Sequence, residues 1–177
     1  RARQTDTREV KASEDQVTAL IFKIQANLDP NHRDRMAFAR VCSGRLTRGM
    51  RLKHVRTGKQ FALHTPQFFF ARDRQLAEEA FGGDVVGIPN HGTLRIGDTL
   101  SESEDLRFTG VPHFAPEILR RVRLDDARQA KKLRQALVEL AEEGVVQLFR
   151  PQDGLSPIVG VVGTLQLDVL QSRLLGE

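Results

Sequence analysis

The sequence has no tryptophan, no tyrosine and only one cysteine in 177 residues. A single cysteine cannot form an internal disulfide, which is typical of proteins from a reducing compartment, so a cytoplasmic location is expected. No stretch of about 18 consecutive apolar residues occurs, and the sequence therefore predicts no membrane-spanning helix. The first residues are polar and charged, unlike the apolar centre of a secretory signal. These absences predict a protein without a membrane partner.

Motifs for common catalytic and cofactor chemistry are also missing. No GxxxxGK(S/T) segment exists to bind phosphate as a P-loop does. The five histidines lie far apart in the sequence, without the close spacing of metal ligands. Cys42 is interpreted as a small apolar core residue rather than a nucleophile, and no GxSxG elbow surrounds Ser43. The sequence therefore predicts no catalytic, cofactor-binding or metal-binding residue, and no enzyme activity for this chain.

Positive charge is concentrated in the middle of the chain. The whole sequence has 27 Lys and Arg against 23 Asp and Glu, a net charge of +4. Residues 17–100 contain 13 of the basic and 7 of the acidic residues, whereas residues 101–177 contain 10 and 12. This excess makes the middle segment the candidate for contact with a polyanion. Solvated side chains on the outside of a sheet are the plainer alternative.

Residues 17–106 show the pattern of many short strands. The run from Thr18 to Ile24 alternates with a period of two, and turns rich in glycine and proline recur as far as Leu100. Several short strands separated by such turns predict a closed antiparallel β-barrel, because closure removes exposed strand edges. Residues 1–16 are polar and lack apolar periodicity, so they are predicted to be a linker.

A change of period predicts a second domain over residues 107–177. Asp125 or Asp126 can cap a helix, with Gln129 in capping-box register to the second of them. An apolar stripe at helical spacing follows, and Gly144 occupies the place of a helix C-terminal glycine. Strand candidates flank this helix and a second helical stripe follows them. The order strand, helix, strand, strand, helix predicts a partial ferredoxin-like α/β sandwich.

Several segments of the chain resemble a known family. The strand end at residues 40–44, RVCSG, with Gly49-Met50 beyond it, resembles the RV-x-SG…G signature of the β-barrel second domain of translational GTPases. The segments EEAFGGDVVGI and GDTL, which begin at Glu78 and Gly97, resemble other parts of that domain. The segments FKIQANLDPNHRDRMAFARV and VPHFAPEILRRV are similar to bacterial peptide chain release factor 3, whose third domain the remainder resembles.

The resemblance implies a role in protein biosynthesis, at translation termination. Release factor 3 is a GTPase that promotes dissociation of class I release factors from the ribosome. The intact protein is therefore expected to bind GTP and GDP through a domain that this chain does not contain. Residues 1–16 would link that GTPase domain to the barrel, and residues 107–177 would be part of a third domain that is longer in the family.

The partners that the resemblance implies are the ribosome, through ribosomal RNA and the small-subunit surface, and the GTPase domain of the same protein. Class I release factors are implied as indirect partners, and DNA is not. Two other functions fit the same coarse pattern. An elongation factor G or ribosomal-protection type GTPase also has a barrel followed by an α/β domain, and a free-standing module that binds RNA or protein is the alternative from a different class.

Basic side chains in the predicted turns and hairpins are the candidate contacts with ribosomal RNA, because arginine offers phosphate a bidentate fork. Weak surface ion pairs are the plainer interpretation of the same residues. Phe69 is a candidate for packing against a neighbouring domain, because strand alternation directs it away from the side chains on either side of it. The basic candidates are Arg33, Arg35, Lys53, Arg56, Lys59, Arg72 and Arg74.

Overall fold

The chain divides into two compact units, Arg1–Val111 and Pro112–Glu177, each with its own hydrophobic core. The boundary predicted from the sequence, after residue 106, lies close to this division. The computed structural model describes residues 3–26, 35–64, 67–70, 73–76, 78–111, 114–124, 126–152 and 154–175; for residues 26, 67–70 and 73–76 it describes the backbone alone.

The first unit consists of short strands joined by tight turns, as the alternating pattern and the recurrent glycines predict. Gly44 and Gly58 have φ angles of 73° and 69°, which residues with a Cβ atom rarely adopt. The strands are β1 (Arg3–Gln4), β2 (Glu9–Val10), β3 (Thr18–Ala26), β4 (Arg35–Ser43), β5 (Arg45–Thr47), β6 (Arg51–His54), β7 (Lys59–Ala62), β8 (Gln67–Phe70), β9 (Asp73–Leu76), β10 (Glu79–Phe81), β11 (Val85–Pro89) and β12 (Thr99–Ser101).

Eight of these strands form one antiparallel sheet in the order β7-β6-β12-β3-β4-β11-β8-β9. The central strands β3 and β4 pair over nearly their whole length, and two register shifts interrupt the pairing. Such irregularities increase the local twist of a sheet. The sheet covers a core of aliphatic side chains that includes Ile21, Val41 and Leu52, all fully buried. Strands β5 and β10 form a separate pair, and their Leu46 and Ala80 join the same core.

The sheet of the first unit is open, so the predicted closed barrel is wrong in this detail. Among the described strands, β7 and β9 are the two edges of the large sheet, and no pairing joins them. Alternation along a single strand shows which of its faces is buried. Closure also depends on strand tilt and on the stagger between the first and last strands, which are properties of the whole sheet.

The amino-terminal segment, which the sequence predicts to be a linker, packs against the sheet. Strands β1 and β2 pair with each other, and Val10 is buried together with Leu106 and Phe108 in a small second core. The Arg8 guanidinium donates hydrogen bonds to the carboxylates of Glu14 and Glu104 over 2.7–3.1 Å. The sequence pattern did not reveal this arrangement because each of the two strands contains only two residues, too few to show a period.

The second unit has the predicted order of elements. Its sheet is antiparallel in the order β13-β15-β14, and Leu137 and Leu140 on the first helix pack against Val159 and Val161 in its core. Asp126 caps a short 3-10 turn by accepting a hydrogen bond from the Arg128 N–H at 2.9 Å. The elements are β13 (Ile118–Arg121), α1 (Ala130–Glu142), β14 (Gln147–Phe149), β15 (Ile158–Val161) and α2 (Thr164–Leu175). Within the described residues, neither helix has the length and apolarity needed to cross a membrane.

Candidate nucleic-acid interface

A cavity of about 640 Å³ opens on the first unit, between the β6–β7 hairpin and the loop that follows β11. Its floor is apolar, because Leu63, Ile88 and Leu94 are buried there and Phe61 is half-buried beside them. Its rim is basic. No described residue that lines the cavity is an aspartate or a glutamate. The basic side chains at the rim, all exposed, are Arg56, Lys59, His64, His91 and Arg95.

The loop on one side of the cavity is fixed by Asn90, whose side chain is buried. Its Oδ1 accepts hydrogen bonds from the backbone N–H groups of Gly92, Thr93 and Leu94 at 3.0–3.1 Å, and its Nδ2 donates to the Leu94 carbonyl at 2.9 Å. Asparagine favours turns because its side chain can replace the backbone as a hydrogen-bonding partner in this way. The loop therefore holds His91 at the rim in a defined position.

The hairpin on the other side places Arg56 and Lys59 at the rim. Strands β6 and β7 pair from Arg51 opposite Ala62 to His54 opposite Lys59. The turn between them closes with hydrogen bonds from the N–H groups of residues 57 and 58 to the His54 carbonyl at 3.1 and 2.9 Å. The register thus fixes which basic side chains flank the turn.

A buried carboxylate, Asp98, lies beneath the rim and connects its elements. It accepts hydrogen bonds from His54 Nε2 at 2.7 Å, from Arg56 Nε and Nη2 at 2.6 and 2.9 Å, and from the Arg95 N–H at 2.8 Å. The Thr57 hydroxyl lies 3.1 Å from His54 Nδ1. A proton on His54 Nε2, with Nδ1 accepting from that hydroxyl, satisfies every group of this network.

The network sets the charge state of the site. Burial raises the pKa of Asp98, but the hydrogen bonds from Arg56, the Arg95 N–H and His54 outweigh it, and its pKa lies below the ordinary value. The hydrogen bond to Asp98 raises the pKa of Arg56. Asp98 therefore neutralises Arg56, and four donors occupy its two oxygens. The positive charge that remains available at the rim belongs mainly to Lys59 and Arg95.

The structure brings three of the predicted basic residues to this region. Arg56 and Lys59 line the cavity. Arg35 lies beside the loop, because its carbonyl accepts a hydrogen bond from the Asn90 N–H at 2.9 Å and a Cβ atom built on Gly92 would lie 3.4 Å from its Nη1 atom. Lys53 does not line the cavity, and its Nζ atom forms an ion pair with Asp105 at 2.6 Å.

The other predicted contacts have no described side chain. Arg33 and Arg72 lie outside the described residues. Arg74 and Phe69 lie on β9 and β8, of which only the backbone is described. For these four residues the predicted roles stay predictions.

Sequence reasoning missed His64, His91 and Arg95 as members of one site. These residues lie in different turns, and no spacing along the chain joins them. The sequence offered one signal for two of them: His91 and Arg95 lie close to turn glycines near the end of the basic segment. Only the pairing of β6 with β12 and of β11 with β4 brings these turns to one face.

Metal binding and thiol reactivity are the other kinds of chemistry that a site in this chain could use. No cluster of three or more metal-binding side chains occurs in the described part of the chain. Cys42 is buried, and burial raises the pKa of its thiol to about 11, so the interpretation of Cys42 as a core residue is confirmed. A thiol with that pKa is a poor nucleophile at neutral pH.

Comparisons with known proteins agree with this two-unit division. Residues 16–103 match the family described as elongation factor G domain 2. Residues 108–177 match the family described as class II release factor RF3, C-terminal domain. A crystal structure of a protein from Thermus thermophilus is similar over 91% of this chain, with 26% sequence identity and a TM-score of 0.75. This chain spans 24% of the length of that protein.

With these two matches, the open β-sheet unit followed by the α/β unit makes the chain similar to a pair of domains of translational GTPases. Within that class, the two units are similar to domains of the release factor 3 and elongation factor G type. The resemblance inferred from the sequence is thereby confirmed. The descriptions of both families also support a part in protein biosynthesis.

Proposed function

We propose that this chain is the non-catalytic, ribosome-contacting part of a GTP-dependent release factor that promotes dissociation of class I release factors after peptide release. The observation that carries the proposal is the match of residues 108–177 to the C-terminal domain of release factor RF3. Such work takes place in the cytoplasm, where ribosomes and class I release factors meet. The GTP-binding domain of the same protein is the proposed intramolecular partner.

The basic rim is the proposed contact with ribosomal RNA. Lys59 and Arg95 are exposed and lie at the mouth of the cavity without a described carboxylate partner. Arg35, beside the Asn90 loop, extends this surface. Phosphate contacts of this kind read the shape and backbone of folded RNA rather than its base sequence. They also give binding that weakens as salt concentration rises.

Ribosome binding tests this surface directly. The double variant Lys59→Gln/Arg95→Gln is expected to bind 70S ribosomes more weakly than the unchanged chain in a sedimentation assay. Its slope of log affinity against log salt should be shallower by about one for each phosphate that the variant no longer binds. The matched control is Lys11→Gln/Arg107→Gln, which changes exposed basic residues of the same unit outside the cavity. Equal affinity and slope for the two double variants would contradict the proposed surface.

The four predicted turn arginines require a separate experiment in the full-length protein. Changing Arg33, Arg35, Arg72 and Arg74 to alanine is expected to reduce ribosome affinity and the salt slope in the same way. An unchanged affinity would return these residues to the plainer interpretation, in which Asp and Arg neutralise each other on the surface.

The proposal assigns GTP binding and hydrolysis to another domain of the protein and not to this chain. It should neither hydrolyse GTP nor bind GTP or GDP, because no P-loop occurs in its sequence. Isothermal titration calorimetry with each nucleotide measures this. Binding in the micromolar range would contradict it.

Elongation factor G is the second candidate, and the match of residues 16–103 to its second domain favours it. Exchange experiments distinguish the two. The corresponding domains of a release factor 3 and of an elongation factor G are replaced by this chain, and both recycling of class I release factors and translocation are measured. Recycling retained by the first chimera supports termination, whereas translocation retained only by the second assigns the chain to elongation.

A further inference from the structure

We infer that the basic-rimmed cavity of the first unit receives one unpaired nucleotide of RNA, with the base inside the cavity and the flanking phosphates at Lys59 and Arg95. This inference rests on the proposed function, because it assumes that the natural ligand is RNA. It adds the unit that is recognised, a single extruded nucleotide, where the proposed function requires only contacts with the RNA backbone.

The size and floor of the cavity suit a base. Its volume of about 640 Å³ lies within the range of about 300–1,000 Å³ that small-molecule sites occupy. The floor presents the half-buried Phe61 ring among the buried side chains of Leu63 and Leu94. Aromatic and aliphatic side chains of this kind receive the flat face of an unstacked base. A surface that bound only phosphate would have no need of an apolar floor.

The polar groups of the cavity have the sign that a nucleotide requires. Lys59, Arg95 and His91 surround the mouth, and no described lining residue is acidic. Asp98 is the carboxylate of the network beneath the rim. Four donors from three residues occupy its oxygens, so it does not project negative charge into the cavity. Phosphates on either side of an inserted base would therefore meet cations at the rim.

The geometry selects single-stranded over duplex RNA. A-form duplexes keep their bases stacked and their edges in a deep, narrow major groove that side chains do not enter. Only a nucleotide in a loop, bulge or end can leave the stack and reach the floor of a cavity. An acidic peptide with an apolar side chain is the competing ligand, and it is included in the test.

Fluorescence anisotropy with short labelled RNAs tests the inference without changing the protein. Three probes are compared: a single-stranded RNA, the same RNA with one internal abasic nucleotide, and the fully paired duplex. Since a stacked base contributes about 1–3 kcal/mol, the abasic RNA and the duplex should each bind at least about fivefold more weakly. Equal affinity for the intact and abasic RNAs would overturn the inference, because both keep every phosphate. Tighter binding of a peptide of alternating glutamate and leucine would also overturn it.

Two variants test which side chains contact the base and which contact the phosphates. Phe61→Leu keeps an apolar floor and removes the aromatic face, so it should reduce the preference for intact over abasic RNA. Lys59→Gln should weaken both RNAs equally, whereas Lys11→Gln should leave both unchanged. Far-ultraviolet circular dichroism confirms that each variant is folded. A Phe61→Leu chain that is folded and keeps the full preference contradicts base insertion.

This outcome is separable from failure of the proposed function. Loss of ribosome binding in Lys59→Gln/Arg95→Gln, together with equal binding of intact and abasic RNA, would leave the ribosome contact standing and remove the nucleotide site. Unchanged ribosome binding in that double variant would remove the contact itself.

Discussion

Replacing Asp98 with asparagine tests the network beneath the basic rim. The change keeps the size of the side chain but removes its charge and one of its two acceptor oxygens, while the donors on His54, Arg56 and Arg95 remain. Breaking a buried ion pair by removing one partner costs about 3–5 kcal/mol. Arg56 is partly exposed, with 36% of its side chain accessible, so water can replace part of what it loses. We therefore expect a loss of about 2–3 kcal/mol in the free energy of unfolding of the first unit.

The assay is urea unfolding followed by circular dichroism, because the chain has no tryptophan or tyrosine to report by fluorescence. With a urea slope of about 1–3 kcal/mol/M, the midpoint should fall by about 0.7–3 M. Hydrogen exchange of amides in β6 and β12 assigns the change to the first unit. The control is Asp105→Asn, whose carboxylate is 67% exposed in its pair with Lys53, and which should cost less than about 1 kcal/mol.

The pKa of Asp98 predicts how the stability difference between the unchanged chain and Asp98→Asn depends on pH. The folded-state pKa of Asp98 lies below its ordinary value, so its carboxylate stabilises the fold above about pH 4, the unfolded pKa. This contribution is lost as the pH falls through the lower, folded pKa. The difference between the unchanged chain and Asp98→Asn should therefore be full near neutral pH and shrink in acid. Equal midpoints at neutral pH would refute the reasoning, as would a difference that stays constant down to the lowest pH at which both chains fold.

Three further predictions concern the fold. Gly44→Ala should lower the free energy of unfolding by about 3 kcal/mol or more, because the φ of Gly44 is 73° and a Cβ atom would lie 2.6 Å from the Gln16 carbonyl carbon. Gly58 has a similar φ with open space around it, so Gly58→Ala should cost about 1 kcal/mol in the same urea assay. Equal costs for the two variants would contradict the argument. Cys42, with its thiol pKa raised to about 11 by burial, should react with a thiol reagent at neutral pH only after urea unfolding, and rapid labelling of the folded chain would contradict its assignment to the core. In thermal unfolding, Leu137→Ala should lower the free energy of unfolding of the second unit by about 2–5 kcal/mol. Leu165 is 74% exposed, so Leu165→Ala should change this free energy by less than about 0.5 kcal/mol. Similar effects of the two variants would mean that the core is assigned incorrectly.

The elements of both units were largely predictable from local sequence. The alternation from Thr18 to Ile24 predicted β3, and the leucine stripe with Gly144 predicted α1 and its end. These predictions succeed because the period of the backbone alone decides which side chains share a face. The pair β1 and β2 was not predictable, since its stability comes from contacts such as Val10 with Leu106, more than ninety residues along the chain.

The candidate site was predictable only in its charge. The basic excess of residues 17–100 and the hairpin residues Arg56 and Lys59 were evident, and both side chains line the cavity. The sequence could not show that Arg56 is largely neutralised, because its partner Asp98 lies 42 residues away. For the same reason Lys53, equally basic, was predicted as a contact although it pairs with Asp105.

The sequence by itself determined the period and type of the main elements, the position of the basic excess and the family to which the two units are similar. Tertiary structure alone decided that the sheet stays open, that the amino-terminal segment packs against it, and that turns from distant strands form one cavity over Asp98. The physical reason is that periodicity and turn chemistry act over a few residues. Strand register, burial and the pairing of charges depend on which segments meet after the chain has folded.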